Sequence, residues 1–385
     1  MDTNRQITIV GAGPAGLTAS IILRRFGYNV NLYEQNNNVG LRFNGDFQGL
    51  ENWSDEKDTL DIIKDLDLKI NFLCDPYYGS DGIFYGPNHK KVKLKSSRPL
   101  FYLIARGSNE DSLDRGLLKQ AEESGVNIFW GQKLDVVKDG PAIVGTGPKA
   151  ADAIAKGMVF KTSHKNIFIG FLDNKIAPKA YAYLIVNNGK ATFASCLFED
   201  FKNEKFYFNR ALSRLESVIK IDKIEAKEFG GFVNFFNEPK YSKSNRILYV
   251  GENAGFQDAL WGFGIKYAIL SGYYAAQSII HNQDYIKLCK KYLGPKLQTS
   301  LANRFLFAHL TNYGYSFILS KLAKLDDVIP PLRKHYNQSN TKKLVYKISK
   351  KWYKSRLIDK QCMHENCDCV WCRHGKGKLG KFAVE

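Results

Sequence analysis

An α/β fold follows from three stretches of this 385-residue sequence. ITIVGAGPAGLTASIILRRFGYNVNLYEQ, from Ile7 to Gln35, reads as strand, glycine turn, helix, strand. NRILYVGENAGFQDALWGFGIKYAILSGYYAAQSII, from Asn245 to Ile280, reads as strand, loop, helix. Between them, residues 159–240 hold short alternating strands (VFKTS, NIFIGFLD, AYAYLIVNN, KATFASCLFE, GGFVNFF), with Asn187-Asn188-Gly189 as a hairpin turn. The prediction is a Rossmann-like nucleotide-binding domain, an antiparallel β-sheet substrate domain laid over it, and a C-terminal helical, Cys-rich tail.

In the first stretch, Ile7, Ile9 and Val10 form a buried strand, and Gly11, Gly13 and Gly16 have the G-x-G-x-x-G spacing. The first glycine permits the tight turn, the second lets backbone approach a pyrophosphate, and the third lets the helix pack on the strand. Pro14 and Ala15 open that helix, whose N-terminus points N–H groups and a positive dipole end at phosphates. Val30, Leu32 and Tyr33 form the second strand. Glu34 ends it, 18 residues after Gly16 and just before Gln35. A carboxylate there accepts hydrogen bonds from ribose hydroxyls and disfavours a 2′-phosphate. By itself this motif does not separate NAD from FAD.

The second stretch separates them. Its strand, Ile247–Val250, is followed by Gly251-Glu252, a loop, and a helix from about Gly262 through Gly264 and Ile265. This order resembles the second flavin motif of FAD-dependent oxidoreductases of the p-hydroxybenzoate hydroxylase fold. The resemblance implies that the pair after the strand contacts the ribityl and phosphate region, and that the helix N-terminus faces the flavin N1/O2 edge. Glu252 stands where the family has Asp. PAIVGTGPKAADAIAKG, from Pro141 to Gly157, resembles the family's Ala-Thr-Gly strand, which brings Gly147 to the cofactor. No acid-terminated strand follows it at the spacing of a separate NAD domain. Arginines near Arg42 and Arg106 contact FAD phosphates or anchor the flavin domain in the family, and guanidinium suits bidentate phosphate binding. Around Arg106 the order strand, loop, helix (about Asp111–Ser124), strand fits the crossover in this fold.

In the antiparallel half, APKAYAYLIVNNGKATFASC resembles the Pro-x-x-Tyr-x-Trp segment that lines the isoprenoid cavity of geranylgeranyl reductase-like enzymes. Pro178, Tyr181 and Tyr183 match it, with Tyr183 in the Trp place. Such alternating aromatics also suit ordinary cross-strand packing. The resemblance covers residues 1 to about 285 and points to the geranylgeranyl reductase branch. One departure is that RFNGDFQGLENW has Asn44-Gly45 where archaeal members carry Cys-Gly. The organisation expected is a discontinuous FAD-binding domain (1–74, 101–158 and 245–285) and an antiparallel-sheet substrate domain (75–100 and 159–244). A C-terminal helical region (286–360) and a Cys/His-rich basic tail (361–385) follow.

Net charge is +18, of which residues 301–385 contribute +11 through 17 Lys/Arg against 6 Asp/Glu. A surplus of this kind predicts an anionic partner. KKLVYKISKKWYKSRLI sets Leu344, Ile348 and Trp352 at i, i+4, i+8 among lysines, as suits an anionic membrane surface or packing on the chain's own domain. The start MDTNRQITIVGAG predicts no secretory signal, and no uncharged apolar run reaches the ~20 residues of a spanning helix. Scattered Cys74, Cys196 and Cys289 suit a reducing compartment, so the expected location is cytoplasmic, with peripheral contact on the inner face of the membrane. In the tail, Cys362, Cys367, Cys369 and Cys372 offer four soft ligands, with His364 and His374 among them. They predict structural zinc, with an iron–sulfur cluster or free thiols as alternatives.

The reading that results is an FAD-dependent reduction of carbon–carbon double bonds in a polyprenyl or other hydrophobic lipid. Trp261, Tyr181 and Tyr183 are the candidate catalytic wall, and NAD(P)H or a small electron-donor protein is the reductant. The alternatives are an aromatic hydroxylase or related monooxygenase of the same fold, and a flavoprotein whose basic tail binds nucleic acid. Nucleic acid is not the expected partner, because no recognised module for it is present.

Overall fold

The structure is a computed structural model that describes residues 5–134, 141–148, 151–235, 242–243 and 246–356. Strands are numbered in chain order. β1 (Gln6–Val10), β2 (Asn29–Tyr33), β8 (Asn127–Phe129), β9 (Ala142–Val144), β15 (Ser242–Lys243) and β16 (Ile247–Tyr249) form one sheet, in the order β15-β16-β9-β1-β2-β8. All neighbours run parallel except β15 and β16. Ile7, Ile9, Val30, Leu32 and Ile143 are buried in it, as expected for strands covered on both faces. The covering helices include α1 (Pro14–Arg25), α3 (Leu113–Glu123) and α5 (Ile265–Ile280). Pro14 opens α1, where its missing N–H costs nothing, and Arg24 and Arg25 complement the dipole in the last turn. The Ser112 hydroxyl caps α3 by accepting from Arg115 N at 3.1 Å.

The second layer holds β5 (Gly82–Tyr85), β6 (Lys91–Val92), β10 (Ala153–Lys161), β11 (Ile167–Phe171), β12 (Ala182–Asn187), β13 (Lys190–Leu197) and β14 (Ile224–Val233). Their order is β14-β10-β13-β12-β11-β5-β6. The β12–β13 hairpin turns through Asn188 (φ 48°) and Gly189 (φ 76°), the positive pair that a type I′ turn requires. One face of this sheet buries Leu184 and Phe193 against Phe208, Ala211 and Leu215 of α4 (Glu204–Glu216). The other face carries Tyr183 and Ile185 toward a separate core with Phe101, Trp261 and Phe307.

Residues 75–100 depart from the expected antiparallel layer in two ways. β5 pairs parallel with β11, Ile83 opposite Ile169. β4 (Asp75–Tyr77) leaves that sheet to join β3 (Phe47–Glu51) and β7 (Phe101–Ala105), in the order β3-β7-β4. Alternation tells which face of a strand is buried; it does not tell which distant strand will lie alongside, or in which direction.

Beyond α2 (Thr59–Asp65), capped by Asp58, the remaining helices are C-terminal. They are α6 (Tyr285–Tyr292), α7 (Gly294–Ala308), α8 (Asn312–Leu322), α9 (Ile329–Tyr336) and α10 (Asn340–Arg356). α10 packs along α7. Its expected apolar stripe is divided: Leu344 and Ile348 are exposed, but Trp352 turns in against Phe305 and His309. No helix among the described residues is long and apolar enough to cross a membrane. No group of metal-ligating side chains occurs among the described residues, and Cys362, Cys367, Cys369 and Cys372 lie outside them.

Candidate active site

A cavity of about 1550 Å³ runs from the β1–α1 turn to the faces of β12, α8 and α9. At its nucleotide end, Gly11 adopts φ +99°, and a Cβ there would lie 2.4 Å from the Gly145 carbonyl oxygen. A Cβ on Gly16 would lie 2.0 Å from the Gly11 carbonyl oxygen, so this turn closes only with glycine at both places. Gly13 differs: nothing lies within 4 Å of where its Cβ would be, and it lines the cavity. Bare backbone therefore faces open space at the start of α1, as a pyrophosphate cradle needs. Pro14, Ala15, Glu34, Gln35, Gly147, Gly251, Glu252, Gly262, Gly264 and Ile265 line the same cavity, so residues far apart in sequence converge there. The Glu34 carboxylate accepts from Ala12 N at 2.9 Å and Asn36 N at 3.0 Å, which fixes it at the end of β2.

The two arginines have different surroundings. Arg42 lines the cavity and pairs with Glu252 at 3.0 Å, between the Phe43 and Phe232 rings. Arg106 is buried, and Asp114 takes its Nε at 2.8 Å and its Nη2 at 2.9 Å. Burial opposes the charge on Arg106, but Asp114 more than offsets it and keeps the guanidinium ionised. Two of its donors thus hold α3 to the end of β7, the anchoring role that the resemblance also implied, and Arg106 lines the cavity together with Arg42.

At the far end, Tyr181, Tyr183 and Trp261 come together. The Tyr181 hydroxyl donates to the Trp261 carbonyl at 2.7 Å, and its ring meets the Trp261 ring edge-on at 5.8 Å. Tyr183 lies 6.1 Å from Tyr181, on the same face of the sheet two residues on. Trp261 is backed by Phe307 at 4.9 Å. Burial raises both phenols well above their usual range and pushes the thiol of neighbouring Cys196 up to about 12, so all three groups keep their protons at neutral pH.

Two buried charges were not legible as site residues. Asp258 accepts from Trp261 N at 2.7 Å and from the Tyr336 hydroxyl at 3.1 Å, which ties the 258–263 loop to α9. Burial raises its carboxyl to about 6, against the lowering effect of those hydrogen bonds. Lys266, in the first turn of α5, pairs with Glu51 and with Asp55 at 2.7 Å. Burial lowers its pKa, and the two carboxylates more than restore it. The sequence signal was a lone charge in an apolar stretch, Asp258 in a loop and Lys266 in the first turn of α5.

Residues 9–46 match the model of an NAD(P)-binding Rossmann-like domain. Across 375 aligned residues the chain is 23% identical to digeranylgeranylglycerophospholipid reductase from Picrophilus torridus, covering 85% of this chain and 89% of that one. The chain resembles the geranylgeranyl reductase-like FAD-dependent oxidoreductases. A geranylgeranyl bacteriochlorophyll reductase-like protein from Thermoplasma acidophilum superposes with a TM-score of 0.69 at 19% identity, over 89% of this chain and 98% of that one. The p-nitrophenol 4-monooxygenase of Pseudomonas putida shares the fold at a TM-score of 0.59 and 12% identity, over 91% and 99% of the two chains. These likenesses support an FAD-dependent oxidoreductase, with flavin as the cofactor that the glycine cradle and the two helix N-termini fit. They leave the substrate and the zinc expected at the tail unassigned.

Proposed function

We propose that this chain reduces carbon–carbon double bonds of a polyprenyl or similarly hydrophobic lipid. The observation that carries the reading is the far half of the cavity. Its lining from β5, β7, β11, β12, β13, α8 and α9 includes Phe84, Phe101, Phe168, Tyr183, Leu319 and Leu332, and no charged side chain. A long apolar chain is the ligand such a wall favours, at roughly 25 cal/mol for each Å² of apolar surface taken from water.

In this reading, Gly11, Gly13, Gly16, Glu34 and Arg42 hold the dinucleotide, and Gly251, Glu252 and the α5 N-terminus receive the flavin end. Bound FAD, once reduced, supplies the hydride. Trp261, Tyr181 and Tyr183 position the alkene and exclude water, and the second carbon takes its proton from a group of this wall that stays protonated, the Tyr183 hydroxyl or the Cys196 thiol. NAD(P)H or a small electron-donor protein supplies the electrons.

The test is anaerobic incubation of the purified, flavin-loaded chain with dithionite and a geranylgeranyl lipid in detergent, read by mass spectrometry. Gain of hydrogen pairs is the expected result. Absence of reduction, together with NADPH-dependent hydroxylation of a phenol under oxygen, would replace this reading with the monooxygenase one that the shared fold also allows.

A further inference from the structure

α8 has two unlike faces. Inward, Leu319 and Leu322 line the cavity and Tyr315 is buried. Outward, Tyr313 is 84% exposed and Phe317 57%, and they are followed at helical spacing by exposed Lys321, with exposed Lys324 just beyond the helix end. The Lys321 ammonium lies 5.4 Å from the Phe317 ring. One helix therefore separates the apolar end of the cavity from solvent, and its outer face carries aromatic rings instead of the polar cover usual on a surface helix.

The neighbouring β6 edge of the second sheet repeats the pattern. In the stretch Lys90–Lys95, Val92 and Leu94 are buried, with Leu94 in the cavity lining, while Lys90, Lys91, Lys93 and Lys95 are exposed. The Lys90 ammonium bonds the Ser320 hydroxyl, which joins this edge to α8. Among the described residues only Lys95 of these has an acidic partner, Asp326 at 2.9 Å. Asp327 is turned to the Ser97 hydroxyl and Ile329 N. Six lysines thus face two carboxylates across the two elements.

We infer that the outer face of α8 and the Lys90–Lys95 edge form one docking surface for an anionic phospholipid bilayer, placed so that a prenyl chain leaving the bilayer meets the cavity one helix away. The inference rests on the lipid-substrate reading for its purpose, and on exposed aromatics within a cationic field for its chemistry. Tyr and Phe partition to the headgroup boundary, and each lysine near an anionic surface contributes about a fivefold gain in binding. The surface differs from the α10 stripe suggested by sequence, which loses Trp352 to packing on α7.

The experiment is flotation of the flavin-loaded full chain with phosphatidylglycerol-containing vesicles and with phosphatidylcholine vesicles. It compares the unchanged chain, Tyr313→Ser/Phe317→Ser, Lys91→Glu/Lys93→Glu, and Leu344→Ser/Ile348→Ser on α10, each checked for flavin content and thermal stability. The expected result is binding to the anionic vesicles that falls about tenfold in the aromatic pair and more than tenfold in the charge-reversed pair, and changes less than twofold in the α10 pair. The proposal is overturned by absence of flotation, by wild-type-like binding of the aromatic pair, or by loss confined to the α10 pair. Reduction of the lipid in detergent, unaffected in Tyr313→Ser/Phe317→Ser, separates the two readings. If no variant reduces the lipid and vesicle binding still depends on residues 313 and 317, the docking surface stands and the substrate reading falls.

Discussion

Replacing Asp258 by Asn tests the loop that carries Trp261. The carboxyl is buried, and its pKa rises from 3.8 to about 6. At about 1.36 kcal/mol per unit, the protonated form is favoured in the fold by roughly 3 kcal/mol. For an acid whose folded pKa lies above its unfolded one, this stabilisation is complete below about pH 4 and is lost as pH rises through about 6. Asn keeps an acceptor for Trp261 N and cannot ionise. The difference in unfolding free energy, wild type minus Asp258→Asn, should therefore fall by about 3 kcal/mol between pH 4 and pH 8 and stay flat above. With an unfolding entropy near 2.1 cal/mol/K per residue over 385 residues, that corresponds to about 4 °C in melting temperature. Urea unfolding of the two flavin-loaded proteins across this range is the measurement. Parallel profiles, with a difference that does not move with pH, would refute the argument that burial outweighs the hydrogen bonds from Trp261 N and Tyr336.

Other changes probe the rest of the site. Arg106→Ala leaves Asp114 buried without its partner and should cost about 3–5 kcal/mol in chemical denaturation, with Arg106→Ala/Asp114→Ala costing less than the single change. Lys266→Met should destabilise by a similar amount, and adding Glu51→Gln should recover part of it. Gly13→Ala meets no neighbouring atom, so stability should stay within about 0.5 kcal/mol while flavin affinity, read from visible absorbance after gel filtration, falls about tenfold or more. Cys196, with its thiol pushed up to about 12, should resist iodoacetamide in the native protein near neutral pH, and rapid alkylation there would show that the far end of the cavity is wetter than its lining implies.

Some of this was readable from local sequence because it depends on local physics. Gly11, Gly13 and Gly16 mark a turn whose backbone leaves no room for side chains, Asn188-Gly189 marks a positive-φ hairpin, and the two-residue period puts Tyr181 and Tyr183 on one face. Tertiary structure alone decided which groups became partners. Lys266 meets Glu51 and Arg42 meets Glu252 across gaps of about two hundred residues that no periodicity encodes. Arg106 lines the cavity as a phosphate ligand would, but that α3 also brings Asp114 to it no spacing announced. Asp258 is one acid in an apolar loop until folding closes Trp261 and Tyr336 around it and removes the water that would hold its pKa low. A repeating pattern along the chain specifies faces and turns; the charge state of a group, and what lies across a cavity from it, follow from which distant surfaces the fold brings together and how completely they exclude solvent.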